Sequence, residues 1–230
     1  MFHGKCKAVT FSYDDGVTQD IRLVELLNQY GLKGTFNINS ELLGQRETLV
    51  RQGVTVNHDK VNPDQIQEVY QGHEIAVHTL THPNLTELSE QEIVRQVEED
   101  KKNLSALAGY EVVGMAYPCG GVNHDDRVAE VISQNTSMRY ARTITSSYSF
   151  ELQTDLLQFD PSVYHMEWEK MFALGEKFVA MKPNHPQLFY IWGHSYEFDV
   201  SNTWSRFEEF CKLISGREDI FYGTNREVLL

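Results

Sequence analysis

Gly72-His73-Glu74-Ile75-Ala76-Val77-His78-Thr79-Leu80-Thr81-His82-Pro83 carries a fold signal and a chemical one in a single stretch. Gly72 closes the helical pattern before it, and His73 to Val77 reads as a short buried strand. His78 and His82 follow the strand end directly, four residues apart. One histidine is more often a satisfied core residue than a ligand. Two at this spacing, on one turn or tight loop, can point at the same ion.

Outward from that stretch, apolar runs of strand length alternate with helical periodicity. Upstream, Lys7 to Ser12 and Gly34 to Asn39 read as strands. Between them Thr18 is placed to cap a helix whose apolar face is Ile21, Val24, Leu27 and Tyr30, ended by Gly31. Asn62-Pro63 opens a helix carrying Ile66, Val69 and Tyr70. Downstream, Ser89 with Glu92 forms a capping-box pattern before a long helix through Ile93, Val97, Leu104 and Leu107 to Gly109. Val112 to Tyr117 is a strand, and a helix is expected near Asp125 to Gln134. Tyr140 to Ile144 and Leu156 to Phe159 are further strand candidates. Helices over Glu167 to Met181 and Thr203 to Ser215 flank the β-prone strand Gln187 to Trp192, and Ile220 to Tyr222 closes the chain.

About seven strand–helix units, with no repeat and no linker, predict one α/β domain over residues 1–230, built as a parallel barrel. Chemistry in such barrels sits at the carboxyl ends of the strands. Three polar clusters fall there: Asp14-Asp15 after the first strand, His78 and His82 after the third, and His194 after the late strand. Adjacent carboxylates repel unless they share a cation or a proton. A metal on one removes that cost and frees the other as a base, although Asp-Asp-Gly is also an ordinary turn sequence. Two His and one carboxylate leave coordination positions open, the pattern of a catalytic centre rather than a closed structural one. At the strand end Ile191-Trp192-Gly193-His194, the histidine suits a general acid, with Glu197 and Asp199 near enough to raise its pKa. Ala116-Tyr117-Pro118-Cys119-Gly120-Gly121 makes a loop whose backbone N–H groups can face an oxyanion.

The 230 residues are 41% hydrophobic and carry a formal charge of −13. That charge disfavours nucleic acid and anionic membrane surfaces, and no Lys/Arg run offsets it. Cys6, Cys119 and Cys211 are too few and too scattered for a disulfide framework or a cysteine metal site, which points to a reducing compartment or simply to unpaired buried thiols. No apolar leader precedes the first strand and no run is long enough to span a bilayer, so a cytoplasmic location is the expectation.

These elements together resemble the polysaccharide deacetylases of carbohydrate esterase family 4, the NodB-homology domain, from Ala8 to about Asp199. Thr10-Phe11-Ser12-Tyr13-Asp14-Asp15-Gly16 and Gly72 to Pro83 carry the resemblance most strongly. It implies a distorted (β/α)7 barrel and a metal-dependent hydrolase that removes N- or O-linked acetyl groups from a carbohydrate. By it Asp14 is the catalytic base, Asp15, His78 and His82 hold the metal, His194 is the acid, and the Cys119 N–H is the oxyanion donor. The donor set suits Zn²⁺ first, and also Co²⁺, Mn²⁺, Ni²⁺ or Fe²⁺. Two departures stand out. The family's Arg-any-Pro-aromatic-Gly loop has Ala116 in the Arg position and Cys119 in the aromatic one. Arg142, on the next strand candidate, is expected to supply the missing charge beside Asp14. The family's Asp-Trp element that orients the acid has no clean match, Asp160 and Trp168 being wrongly spaced. Trp192, Tyr164 and Tyr117 are the candidate pocket aromatics. Hydrolysis of another amide, such as a cyclic ureide or imide, and non-catalytic sugar binding are the alternatives.

Overall fold

The computed structural model describes residues 2–230. Its strands and helices run β1 (Lys7–Asp14), α1 (Asp20–Gln29), β2 (Gly34–Ile38), β3 (Thr48–Arg51), β4 (Val54–Asn57), α2 (Ile66–Val69), β5 (Glu74–Val77), α3 (Glu90–Ala108), β6 (Gly114–Ala116), α4 (Asp126–Asn135), β7 (Tyr140–Arg142), β8 (Val163–Tyr164), α5 (Trp168–Ala180), β9 (Gln187–Gly193), α6 (Glu197–Ser201), α7 (Trp204–Ile214), β10 (Ile220–Tyr222) and α8 (Asn225–Leu229). Seven strands form one parallel path in the order β7-β6-β5-β2-β1-β9-β8, and β10 pairs with the start of β1. Among the described residues β7 and β8 do not pair, so the curled sheet is an incompletely closed, distorted (β/α)7 barrel.

Hydrophobic patterning explains the order. All eight residues of β1 and all seven of β9 are buried, as strands covered on both faces must be. The main core joins Phe11, Phe36, Val77 and Ile191 on the sheet to Leu27, Val97, Phe178 and Phe207 on the helices. Helix α3 starts as expected, with the Ser89 side chain accepting the Glu92 N–H, and ends with Gly109 in the left-handed region at φ +78°.

Two expectations fail and one element goes unpredicted. Thr18 does not cap α1: its N–H donates to Asp59 O at 2.8 Å, so the residue belongs to a strap and the helix begins at Asp20. The expected face shifts with it, leaving Ile21 exposed and burying Leu23. Leu156–Gln158 is a 3-10 turn rather than a strand, with Asp155 accepting the Leu157 N–H; Phe159 alone bridges to Arg142. The antiparallel hairpin β3–β4 was not foreseen: its residues are largely exposed and give no buried run, although Val54-Thr55-Val56-Asn57 alternates after the positive-φ Gln52-Gly53 turn.

The hairpin is tied at its base to the turn after β1. Val61 N donates to Gly16 O at 2.9 Å, and Val17 bridges antiparallel to Lys60. Gly16, at φ +60°, permits that turn, where a Cβ would stand 3.0 Å from Ile38 Cγ2.

Candidate active site

The register of the sheet sets the polar side chains on one rim. Asp14 faces Asn37 across β1–β2, and Tyr13 faces Gly193 across β1–β9. His78 follows β5, Ala116 ends β6, Arg142 ends β7 and Tyr164 ends β8. They surround a cavity of about 510 Å³ lined by Asp14, Asp15, His78, His82, Trp192 and His194 among others.

The backbone here is held in sparsely populated conformations. Asp15 (φ +82°), Thr79 (+69°), His82 (+61°) and Cys119 (+70°) are four of the nine non-glycine residues with positive φ among those described. Each costs about 1–2 kcal/mol, so the surroundings must fix them. Asn39 does so for one loop, its Nδ2 donating to His78 O (2.5 Å) and Thr79 O (2.9 Å). Asp100 of α3 accepts the His78 N–H at 3.2 Å. Asn123, fully buried, holds the other loop by reaching Tyr117 O, Pro118 O and Cys119 O at 3.3, 3.1 and 3.0 Å.

Asp15, His78 and His82 offer three ligand atoms within 4.8 Å of one another. His78 Nδ1 meets Ala116 O at 2.9 Å, and only a donor satisfies a carbonyl, so Nε2 keeps its lone pair. That Nε2 lies 3.9 Å from Asp15 Oδ1, and His82 Nε2 lies 3.5 Å from the same oxygen. Burial holds both imidazoles below their ordinary pKa, His78 at about 4, so they are neutral as ligands must be. Burial would push the Asp15 carboxyl up. The hydrogen bond from His58, with the charges of Lys60 and His194, holds it well below the usual range. Two neutral imidazoles and a carboxylate fit a divalent ion of the zinc class.

Asp14 is buried and bound on several sides. Arg142 Nη2 donates to Oδ1 at 2.6 Å and to Oδ2 at 2.5 Å, and Asn37 Nδ2 donates to Oδ1 at 2.8 Å. Arg142 is itself fully buried, packed 4.5 Å over the Trp192 ring, with Nη1 on Thr143 O. The guanidinium absent from position 116 thus reaches the same carboxylate from the next strand. Asp14 Oδ2 lies 4.0 Å from both His78 Nε2 and His194 Nε2.

Glu197 takes the place sought for Asp160 and Trp168. Its carboxylate meets His194 Nδ1 at 3.1 Å and His165 Nε2 at 2.8 Å, and it accepts the Tyr164 hydroxyl. Burial pushes His194 down in pKa, but the Glu197 carboxylate, with Asp15 and Asp14, outweighs it and lifts the group to about 9. Asp199 plays no part in this: it accepts from Trp204 Nε1 at 2.7 Å and Gln19 Nε2 at 3.0 Å. Asp160 instead accepts the Thr143 hydroxyl, and Trp168 packs beside His165. Gly193 admits His165, whose ring carbon would lie 2.3 Å from any Cβ there.

Tyr117, Tyr164 and Trp192 all line the cavity, Tyr164 and Trp192 with ring centroids 4.8 Å apart. Cys119 also lines it, its thiol 3.4 Å from His82 O. Among the described residues the Cys119 N–H donates to no backbone acceptor. Sequence reasoning does not single out Asn37, His58, Asn123 or His165. Asn37, His58 and His165 act on candidate site residues 23 to 43 positions away in the chain, which no local spacing signals, whereas Asn123 acts within its own loop, four to six residues from its acceptors.

A rim of carboxylates and imidazoles at the carboxyl end of a parallel (β/α)7 barrel defines the class of protein. The family model described as polysaccharide deacetylase matches residues 3–139, and the chain belongs to that family. The chain is 27% identical over 128 residues to the peptidoglycan-N-acetylglucosamine deacetylase PgdA of Listeria monocytogenes, covering 55% of this chain and 24% of that protein. It is 30% identical over 157 residues to chitin deacetylase 1 of Cryptococcus neoformans, covering 67% and 28%. These matches span about a quarter of each relative's length. The structure resembles the carbohydrate esterase domain of a multidomain xylanase from the hindgut metagenome of Trinervitermes trinervoides (TM-score 0.60, 18% identity, 97% of this chain and 89% of that one). It also resembles a family 4 pseudoenzyme from Bacillus anthracis (TM-score 0.57, 17% identity, 97% and 67%). Likeness at that identity shows the shared fold.

Proposed function

We propose that this protein is a metal-dependent hydrolase that removes acetyl groups from an N- or O-acetylated carbohydrate. The observation that carries the reading is the convergence of three ligand atoms within 4.8 Å at Asp15, His78 and His82, with Asp14 and His194 beside them. Asp15, His78 and His82 would hold a divalent ion, which when bound would supply Lewis acidity.

Asp14 takes the proton from the attacking water as the general base, and Arg142 with Asn37 fixes which way its carboxylate faces. The Cys119 N–H donates to the oxygen that gains charge as the carbonyl becomes tetrahedral. His194, held protonated by Glu197, gives its proton to the departing amine or alkoxide. Its Nε2 stands 4.0 Å from Asp14 Oδ2, close enough for one reacting group beside them to contact both. Tyr164 and the little-exposed Trp192 offer aromatic surface to a sugar ring, whereas Tyr117 is fully buried against His124 and supports the wall from behind. A cavity of about 510 Å³ lies within the usual range for a small-ligand site. The names of the peptidoglycan and chitin relatives favour N-acetylglucosamine-containing glycans as first substrates.

The test loads purified protein with Zn²⁺, Co²⁺ or Mn²⁺ and measures acetate release from N-acetylglucosamine oligomers and acetylated xylo-oligosaccharides. Release that a chelator abolishes supports the reading. Ring opening of cyclic ureides without acetate release would move it to another amide, and metal binding with no turnover would leave a sugar-binding role.

A further inference from the structure

We infer that His58 is a positioning residue that fixes the Asp15 carboxylate as a one-oxygen metal ligand, with Glu47 orienting His58 from behind. This rests on reading Asp15 as a ligand of the ion.

The two Asp15 oxygens face different partners. Oδ1 faces the histidine pair, 3.5 Å from His82 Nε2 and 3.9 Å from His78 Nε2. Oδ2 meets His58 Nε2 at 3.3 Å. A carboxylate only accepts, so the ring nitrogen toward Asp15 is the donor. The other nitrogen, Nδ1, meets Glu47 Oε1 at 2.7 Å. The ring therefore stands between two carboxylates, and Tyr196 packs edge-on against it, centroids 5.0 Å apart at 81°. His58 is 9% exposed and Glu47 is open to solvent.

The fold supplies the means to hold that ring. Both residues lie at the base of the β3–β4 hairpin, where His58 N donates to Glu47 O at 2.9 Å. The same base is tied to the ligand turn through Val61 N to Gly16 O and Thr18 N to Asp59 O. The Asp15 backbone sits at φ +82°, a conformation that does not by itself set the carboxylate's direction. An Asp15 with Oδ2 unoccupied is free to rotate and chelate through both oxygens, which changes the coordination positions left for water and acyl oxygen. Partners of this kind typically affect metal affinity by about 10- to 100-fold.

The experiment measures Zn²⁺ affinity by chelator competition for the wild type, His58→Leu, His58→Gln and Glu47→Ala, with circular dichroism to verify folding. X-ray absorption of the zinc-loaded proteins counts the imidazole ligands. The expected result is a loss of about 10- to 100-fold for His58→Leu. Rescue to within about threefold is expected for His58→Gln, whose amide N–H donates in the same place, because it restores most of that range. The imidazole number stays the same in wild type and His58→Leu. Unchanged affinity in His58→Leu, equal loss in Leu and Gln, or one imidazole fewer on the zinc in His58→Leu would each overturn the inference. Should His58→Leu fail to fold, Glu47→Ala decides: weaker Zn²⁺ binding upholds the relay and wild-type binding overturns it. A wild type that binds no Zn²⁺ overturns the metal-site reading and this inference together, whereas wild-type binding matched by the variants overturns only the inference.

Discussion

Glu197→Gln should move the alkaline limb of the pH–rate profile down by about two pH units while leaving the rate near pH 6 almost intact. His194 stands at about 9 against its ordinary 6.5, although burial alone works the other way. The difference corresponds to roughly 3 kcal/mol of preference for the imidazolium. Glu197 is the largest source of that preference, with one charge-assisted bond to Nδ1 at 3.1 Å. Without its charge the group returns to about 6.5 or lower. At pH 8 an acid of pKa near 9 is about nine-tenths protonated and one near 6.5 about 3%, a loss of roughly 30-fold; at pH 6 the ratio stays within about twofold. The assay is kcat/KM for acetate release from pH 5.5 to 9.5. Stability follows the same sign. A histidine whose folded pKa is raised contributes its stability in full below pH 6.5 and loses it as pH rises through about 9. The Tm gap between wild type and Glu197→Gln should therefore be widest below pH 6.5 and close above pH 9. A limb that stays in place, or a rate lost equally at every pH, would refute the assignment of His194 as an acid tuned by Glu197.

Arg142→Met leaves Asp14 buried without its cation, which should cost about 3–5 kcal/mol in urea denaturation and strongly reduce kcat. Arg142→Lys should not restore activity, because a single ammonium lacks the planar donors that reach both Asp14 oxygens and Thr143 O. Gly193→Ala places a Cβ 2.3 Å from the His165 ring and should lower both Tm and kcat by displacing the His165–Glu197 pair. Asn123→Ala frees three loop carbonyls and should cost about 1–3 kcal/mol, with kcat falling more than KM rises in steady-state kinetics.

Much of this fold is legible because the signals are local. The buried runs of β1 and β9, the Ser89 cap and Gly109 stop of α3, and the glycine-bounded strand before His78 are each set within a few residues. The hairpin escapes notice because its burial comes from one residue, Val56, and its contacts from the turn after β1. Thr18 misleads for the same reason: a good capping residue is taken by Asp59 from across the strap. In the site, Asp14, Asp15, His78, His82 and His194 declare themselves by type and place at strand ends. Their supports do not. Asn37, His58 and His165 are common polar residues whose role exists only once distant segments are brought together, and Asn123 acts locally but through loop carbonyls that carry no sequence signal. Arg142 is an intermediate case. The missing charge at Ala116 asks for a substitute, and parallel pairing of Ala116 with Arg142 puts one a strand away.

Belonging to the polysaccharide deacetylase family does not by itself fix activity, since the same fold is shared with a pseudoenzyme. The chemistry of Asp14 decides the matter most directly. Acetate release from N-acetylglucosamine oligomers by zinc-loaded wild type and Asp14→Asn, measured beside the Zn²⁺ affinity of each, separates base from ligand. The account predicts turnover by the wild type, a loss of about 10²–10⁴-fold in Asp14→Asn, and Zn²⁺ binding that survives the substitution. Equal rates in the two proteins, or no acetate from the metal-loaded wild type, would contradict it.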